Sequence, residues 1–168
     1  ITVPFQFNYD RGINIENSGN IKYLLIKPLI PVRLNQDWYF VSHTEFTVID
    51  QTNILPNSGS QTGLADTLQT LFFVPNKKEG EIIWGVGPAM LLPTDTDPLL
   101  DFHKWALGPG GIIIKIKGPW TTKLFAYHVW SFRGSPETQD FSYTRINPSI
   151  AYTTDNAWTF TATVDSIY

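Results

Sequence analysis

His43, Glu45 and Thr47 stand at every second position, so on an extended chain their side chains leave the same face. An imidazole beside a carboxylate can act as a general base or supply half of a metal site. The same pair can equally form a hydrogen-bonded filling for a narrow interior. The chain has three histidines, His43, His103 and His128, no ligand-type spacing among them, and no cysteine. No metal site, cofactor or catalytic residue is therefore assigned. No Ser-His-Asp order, phosphate loop or paired catalytic carboxylates stand out. An enzymatic reading would have to rest on His43 and Glu45 alone.

Several cations could give a charged lining instead: Lys27, Arg33, Lys115, Lys117 and Lys123. Rings of such residues set ion preference in pores. Arg33 and Lys117 adjoin turns, where long side chains snorkel toward water, whereas Lys27 lies mid-strand. Gln6 and Asn8 share the polar face of the first strand. The candidate lining set is thus Gln6, Asn8, Lys27, His43, Glu45 and Thr47. Acidic residues in connecting segments (Asp95, Asp97, Asp101, Glu137 and Asp140) read as solvating charge rather than a divalent-cation site, and the facing of Asp66 is open.

The elements that must carry these residues are strands. No stretch repeats apolar residues at helical spacing; period two dominates. Ile1, Val3, Phe5, Phe7 and Tyr9 oppose Thr2, Gln6, Asn8 and Asp10, and Ile82, Trp84, Val86, Met90 and Leu92 oppose Gly85, Gly87 and Ala89. Turn signals divide the chain into nine strands: 1–9, 20–34, 38–50, 63–75, 81–93, 104–117, 120–132, 141–153 and 157–168. Most have about 13 residues, or about 43 Å at about 3.3 Å per residue. Tilted by about 40°, such a strand rises roughly 33 Å, enough to cross the ~25 Å apolar band of an outer membrane.

The connections alternate in length. Short turns at Leu34–Trp38, Lys77–Gly80, Lys117–Trp120 and Asp155–Trp158 are each followed by tryptophan, and longer loops run over 10–20, 50–63, 94–103 and 133–140. Trp38, Trp84, Trp120 and Trp158 would form one aromatic belt, and Trp130 with Trp105 and Phe132 part of another. The segment 50–63 is the natural candidate for a loop folded into the lumen. Pro88 after Gly87 and Pro109 after Gly108 mark local bends, since proline removes a ladder donor.

At 168 residues the chain suits one domain, 1–168, with no transmembrane helix, because no run approaches 18 apolar residues. Charged residues make up 16 % and aromatics 14 %, and a net charge of −3 gives no footprint for nucleic acid. The expected fold is an all-β, antiparallel up-and-down transmembrane β-barrel. Nine strands would leave the termini at opposite ends, so the chain is expected to stop before a larger, even-stranded barrel closes.

Several segments in order carry a resemblance. They are Lys27 to Trp38 (Lys-Pro-Leu-Ile-Pro-Val-Arg-Leu-Asn-Gln-Asp-Trp), Gly63-Leu64-Ala65-Asp66 and Trp84-Gly85-Val86-Gly87-Pro88 with Leu92 to Asp97. Lys104 to Pro109, Gly118-Pro119-Trp120-Thr121 and Val129-Trp130-Ser131-Phe132 continue the series. Together they resemble the outer-membrane β-barrels of the phenol meta-pathway and toluene-transport porin type, over most of residues 24–160. Ala65 departs from that family's Gly-Leu-Gly-Asp pattern. The resemblance implies a leader, further strands beyond Tyr168 and a role in transport. The resulting reading is a passive channel in the bacterial outer membrane for small, aromatic or hydrophobic molecules, with lipid as its partner and no signal for oligomerisation. A soluble all-β ligand-binding module of lipocalin or sandwich type is the alternative, and an outer-membrane enzyme the second.

Overall fold

A computed structural model of the protein describes residues 1–55, 58–76, 82–134, 136 and 139–168. The turn read at 77–80 and the loop acid Glu137 lie outside these. Twelve strand segments form one antiparallel sheet: β1 (Phe5–Ile13), β2 (Gly19–Ile26), β3 (Leu29–Arg33), β4 (Trp38–Thr52), β5 (Ser60–Leu64), β6 (Thr67–Pro75), β7 (Ile82–Leu92), β8 (Lys104–Lys117), β9 (Trp120–Gly134), β10 (Ser142–Thr153), β11 (Thr159–Thr163) and β12 (Ser166–Ile167). Three strands are interrupted: β2 continues as β3, β5 as β6, and β11 as β12. The nine strands read from the sequence are these nine walls, each paired with its neighbours in chain order. Among the described residues β1 and β11 are not hydrogen-bonded to each other, so the sheet is an open curl.

The interruptions have identifiable causes. At Lys27–Pro28 the register between β2–β3 and β4 is unchanged, Ile26 facing Phe46 and Leu29 facing His43, but proline offers no donor. Between β5 and β6 the partner pairs run from Leu64↔Val48 to Leu68↔Glu45, four residues against three. The extra residue is a bulge at Ala65–Asp66, which shifts the inward positions from odd to even numbers. Ala65, Asp66, Thr67 and Leu68 are consequently all buried.

A crease crosses the sheet at the two Gly-Pro pairs. Pro88 and Pro109 face each other within an unbroken β7–β8 ladder. The outer ladders break there instead, between Thr70↔Ala89 and Phe73↔Val86 on one side and between Leu107↔Trp130 and Gly110↔Tyr127 on the other. Each proline lacks the N–H its outer neighbour would use. A Cβ on Gly87 would collide with the Leu71 carbonyl, and one on Gly108 with the His128 carbonyl. Glycine is required at both because the neighbouring backbone presses in.

Burial separates the two faces. The concave face holds the core of Leu68, Phe72, Ala89, Leu91, Ala106, Phe125, Tyr127 and Val129. On the convex face Phe7, Val32, Phe46, Phe73, Val86, Leu107, Ile113, Leu124, Ile150 and Phe160 are exposed. Exposed large apolar side chains far outnumber buried ones among the described residues. The alternation on β7 is as read: Trp84, Val86 and Met90 point outward, and Gly85, Ala89 and Leu91 inward.

The connections differ from the sequence reading in one respect. The described parts of segment 50–63 continue the wall: β4 runs on to Thr52 and pairs with β5. The inward loop is Pro93–His103. Its Leu100 packs on Ile49 and Ala65, and its Leu99 carbonyl accepts from Gln51 Nε2 at 2.9 Å. The polar run Thr94-Asp95-Thr96-Asp97 disguised it as a solvent loop.

Candidate functional site

The polar groups of the concave face gather midway along the strands. Odd-numbered residues of β4 point inward, so His43, Glu45 and Thr47 share that face with Val41, Ile49 and Gln51. The same alternation on β10 turns Tyr143, Arg145 and Asn147 inward, opposite β4. Arg145 spans the interior. Its Nη1 donates to Glu45 Oε2 at 3.1 Å, while Nε and Nη2 donate to the two oxygens of Asp165. The Arg145 and Glu45 side chains are 16 % and 8 % exposed, so this is a desolvated cross-brace rather than a surface pair.

Around the brace stand Lys27, whose Nζ donates to Gln6 Oε1 at 3.2 Å, and Lys123 from β9. Gln6 in turn donates to Asn8 Oδ1 at 3.1 Å, and Asn8 Nδ2 is buried without a partner. Thr47 faces inward on β4. All six proposed lining residues thus lie on the concave face, and Gln6, Lys27 and Glu45 join one cluster. Sequence reading missed Arg145 and Asp165 altogether. The signal for Arg145 was its parity with Tyr143 and Asn147 in a strand whose other face is Ile146, Pro148 and Ile150. Of the other cations, Lys115 and Lys117 line an outer groove with Trp120 and Ile150, not the interior.

His43 stands between Thr70 and Glu45. Its Nε2 is 3.8 Å from Glu45 Oε1, and its Nδ1 is 3.1 Å from Thr70 Oγ1. This hydroxyl–imidazole–carboxylate line has the order of a nucleophilic triad, and its Thr70 is fully buried. Among the described residues no group of His, Cys, Asp or Glu is arranged to hold a metal ion.

Two cavities meet at the cluster. One, of about 290 Å³, is largely apolar and is walled by Leu29, Val41, Val74, Ile83, Ile112 and Ile114 on the side of the short turns. The other, of about 480 Å³, is polar and lies between the β1–β2 and β10–β11 sides, with Gln6, Tyr23, Thr161, Thr163 and Asp165 in its wall. Lys27, Lys123, Arg145 and Asn147 border both. On the other side of the cluster an aromatic series climbs toward the inward loop. Phe72 meets Phe125 (6.1 Å between ring centres), Phe125 meets Tyr127 (5.6 Å), Tyr127 meets Tyr143 (5.9 Å), Tyr143 meets Phe141 (5.7 Å) and Phe141 meets Phe102 (4.4 Å).

The inward loop is fastened by carboxylates. The bulge aims Asp66 at this loop, where its two oxygens accept the backbone N–H groups of Asp95 and His103 at 3.4 and 3.1 Å. Asp101 accepts the Asp66 N–H at 3.0 Å, and His103 Nδ1 lies 2.6 Å from Asp95 Oδ1. Asp66 is therefore a loop clasp and not the partner of an interior cation. Burial pushes its carboxyl up to about 7, helped by the hydrogen bond to Asp95 and the charges of Asp101 and Asp95. Asp95 Oδ2 is buried without a partner, and a proton on Asp66 supplies one.

A carboxyl raised in the folded state favours folding when protonated, so its contribution is complete below about 3.8 and fades as pH rises through about 7. The thermal midpoint is expected to fall between pH 5 and pH 8, and Asp66→Asn to remove most of that slope. An Asp66→Asn profile as steep as the wild type would refute the clasp.

Trp38, Trp120 and Trp158 are exposed on the outer face, and Trp38 meets Trp84 edge to face at 6.5 Å. Trp105 and Trp130 are exposed on the outer face near the opposite end, Trp130 beside His128 at 4.2 Å.

No protein-family model matches the chain, and no curated protein sequence matches it. Among solved structures it is similar to an outer membrane channel from Pseudomonas putida F1, with a TM-score of 0.72 at 14 % identity over 98 % of this chain and 70 % of that one. At that identity the likeness concerns the fold alone: the curled antiparallel sheet of this protein matches the wall of that channel's barrel.

Proposed function

We propose that the protein is a bacterial outer-membrane β-barrel, 1–168 forming one barrel domain, that gives passive passage to small apolar or aromatic molecules. The observation that carries this reading is the inverted polarity of the wall. Its convex face is a broad exposed apolar surface, while the ionic cluster of Arg145, Glu45 and Asp165 lies on its concave face. A monomeric soluble protein rarely exposes contiguous apolar patches above a few hundred Å², whereas a lipid-facing wall must. The likeness to an outer membrane channel supports the same reading, and the order of motifs supports the phenol and toluene porin type.

In this reading Gln6, Asn8, Lys27, His43, Glu45 and Thr47 line the lumen, with Arg145 and Asp165 added to them. The aromatic series from Phe102 to Phe72 offers a ring-bearing solute successive apolar contacts, and the cross-brace sets the narrowest point. Selection follows from width and lining, with no chemical turnover. Trp38, Trp84, Trp120 and Trp158 seat the wall at one interface and Trp130 at the other, since indole rings favour the headgroup region.

Extraction of the full gene product from bacterial membranes tests the location. It should need detergent, shift its gel mobility on boiling and conduct after insertion in a planar bilayer. A protein that stays soluble and migrates identically with and without boiling ends the membrane reading in favour of a soluble binding module. The belt has its own test. In single-tryptophan variants, quenchers placed at the headgroup level are expected to dim Trp38, Trp84, Trp120 and Trp158 strongly and mid-bilayer quenchers weakly. Equal quenching at all depths removes the belt.

A further inference from the structure

The ionic cluster contains more positive charge than its own chain neutralises. Arg145 takes both carboxylates of the cluster, Glu45 and Asp165. Lys27 donates to the neutral Gln6, and among the described residues no carboxylate comes within ion-pair distance of Lys27 or Lys123. Within the cluster three cations, Arg145, Lys27 and Lys123, face two carboxylates, leaving one positive charge in a half-buried interior. Charges removed from water without a partner are costly, so a single bound anion would stabilise the cluster. The two lysines also border the apolar cavity of about 290 Å³. That volume lies just below the ~300–1,000 Å³ of drug-sized sites and suits one ring or one short chain.

We infer that the interior is a binding site for a small apolar monocarboxylate, its hydrocarbon in the cavity walled by Leu29, Val41, Val74, Ile83, Ile112 and Ile114 and its carboxylate between Lys27 and Lys123. The inference rests on the channel reading and specifies the solute class of the same lumen. Charge fixes the head and cavity size the tail. A neutral hydrocarbon leaves the lysines unmatched, and a dicarboxylate overshoots the single excess charge. Entry of the anion forms no covalent bond and moves no proton; it exchanges water at two ammonium groups for one carboxylate.

The test is calorimetric titration of the detergent-solubilised full chain at low salt and neutral pH with benzoate, octanoate and benzyl alcohol. Benzoate or octanoate is expected to bind at least ~10-fold more tightly than benzyl alcohol, as charge-assisted hydrogen bonds require, and salt is expected to weaken only the acids. Preference between the two acids distinguishes a ring-shaped from a chain-shaped cargo. Lys27→Gln with Lys123→Gln is expected to lose that advantage while retaining benzyl alcohol affinity and heat-modifiable mobility. Equal affinities for benzoate, octanoate and benzyl alcohol in the wild-type protein overturn the inference without recourse to any variant, and so does undiminished acid binding by the folded double variant. Bilayer conductance without acid preference overturns the carboxylate site alone; failure to insert and conduct overturns the channel reading beneath it.

Discussion

Arg145→Ala is expected to destabilise the folded protein by about 3–5 kcal/mol, the usual cost of leaving a buried charge without its partner. The side chain is held from three directions, by Glu45 Oε2 and by both oxygens of Asp165. Its removal strands the Glu45 carboxylate, 8 % exposed, beside the apolar rings of Phe72 and Phe125. Arg145→Lys keeps the charge but not the two-pronged grip on Asp165, and should fall between the extremes. Replacing all three partners together, Arg145→Met with Glu45→Leu and Asp165→Asn, should recover part of the loss, because no carboxylate is then stranded without its guanidinium. If the channel reading holds, the alanine variant should conduct more in bilayers, since the brace crosses the interior. Urea unfolding in detergent and single-channel recording give the two readings. An unfolding midpoint and conductance both equal to wild type would mean that the brace does not form.

Gly87→Ala and Gly108→Ala are expected to prevent the wall from assembling. In each the new methyl group falls on a neighbouring carbonyl, Leu71 or His128, and main chain cannot turn aside as a flexible side chain can. Both ladders outside the crease are already broken there by Pro88 and Pro109, so little pairing is left to absorb a shift. The expected cost exceeds ~3 kcal/mol, beyond ordinary overpacking. Gly118→Ala is the control. Gly118 has φ 55° but nothing within 4 Å of a new Cβ, so its substitution carries only the modest strain of a left-handed residue. Yields of heat-modifiable protein after refolding should be near zero for the first two and near wild type for the third. Normal assembly of Gly87→Ala would show that β6 and β7 stand further apart there than described.

Much of the wall was legible because a half-buried strand writes its facing into alternate residues. The series Phe5, Phe7, Tyr9 and the opposition of Trp84, Val86 and Met90 to Gly85 and Ala89 needed no partner to interpret. Features that depend on two strands at once were not legible. The bulge at Ala65–Asp66 exists only in the comparison of Leu64↔Val48 with Leu68↔Glu45, and without it Asp66 cannot be assigned a face. The inward loop was misplaced because Leu99 and Leu100, its only aliphatic pair, follow a polar run, whereas segment 50–63 looked unstructured through its Asn, Pro and Gly content. His43 and Glu45 were found by parity and Lys27 by its mid-strand place, yet the interior partner of Glu45 was not. Nothing local to Arg145 says that it reaches β4, since that contact depends on how tightly the whole sheet curls.

Glu45 and Arg145 are 100 residues apart in the chain. Hairpins such as β8–β9 can close as soon as both arms exist, but this contact waits until six further strands have been laid down in register. Contacts of such separation are made late and slowly, because loop-closure entropy is spent before they repay it. Until then the inward charges of β4 and the outward apolar rows of β1 to β9 are both without their final surroundings. The brace therefore acts as a check on completion. A chain in which β4 or β10 has slipped by one residue turns that strand's side chains to the wrong face, and Arg145 and Glu45 then no longer meet. The polar centre of this wall thus forms only when strands far apart in the chain are both in register.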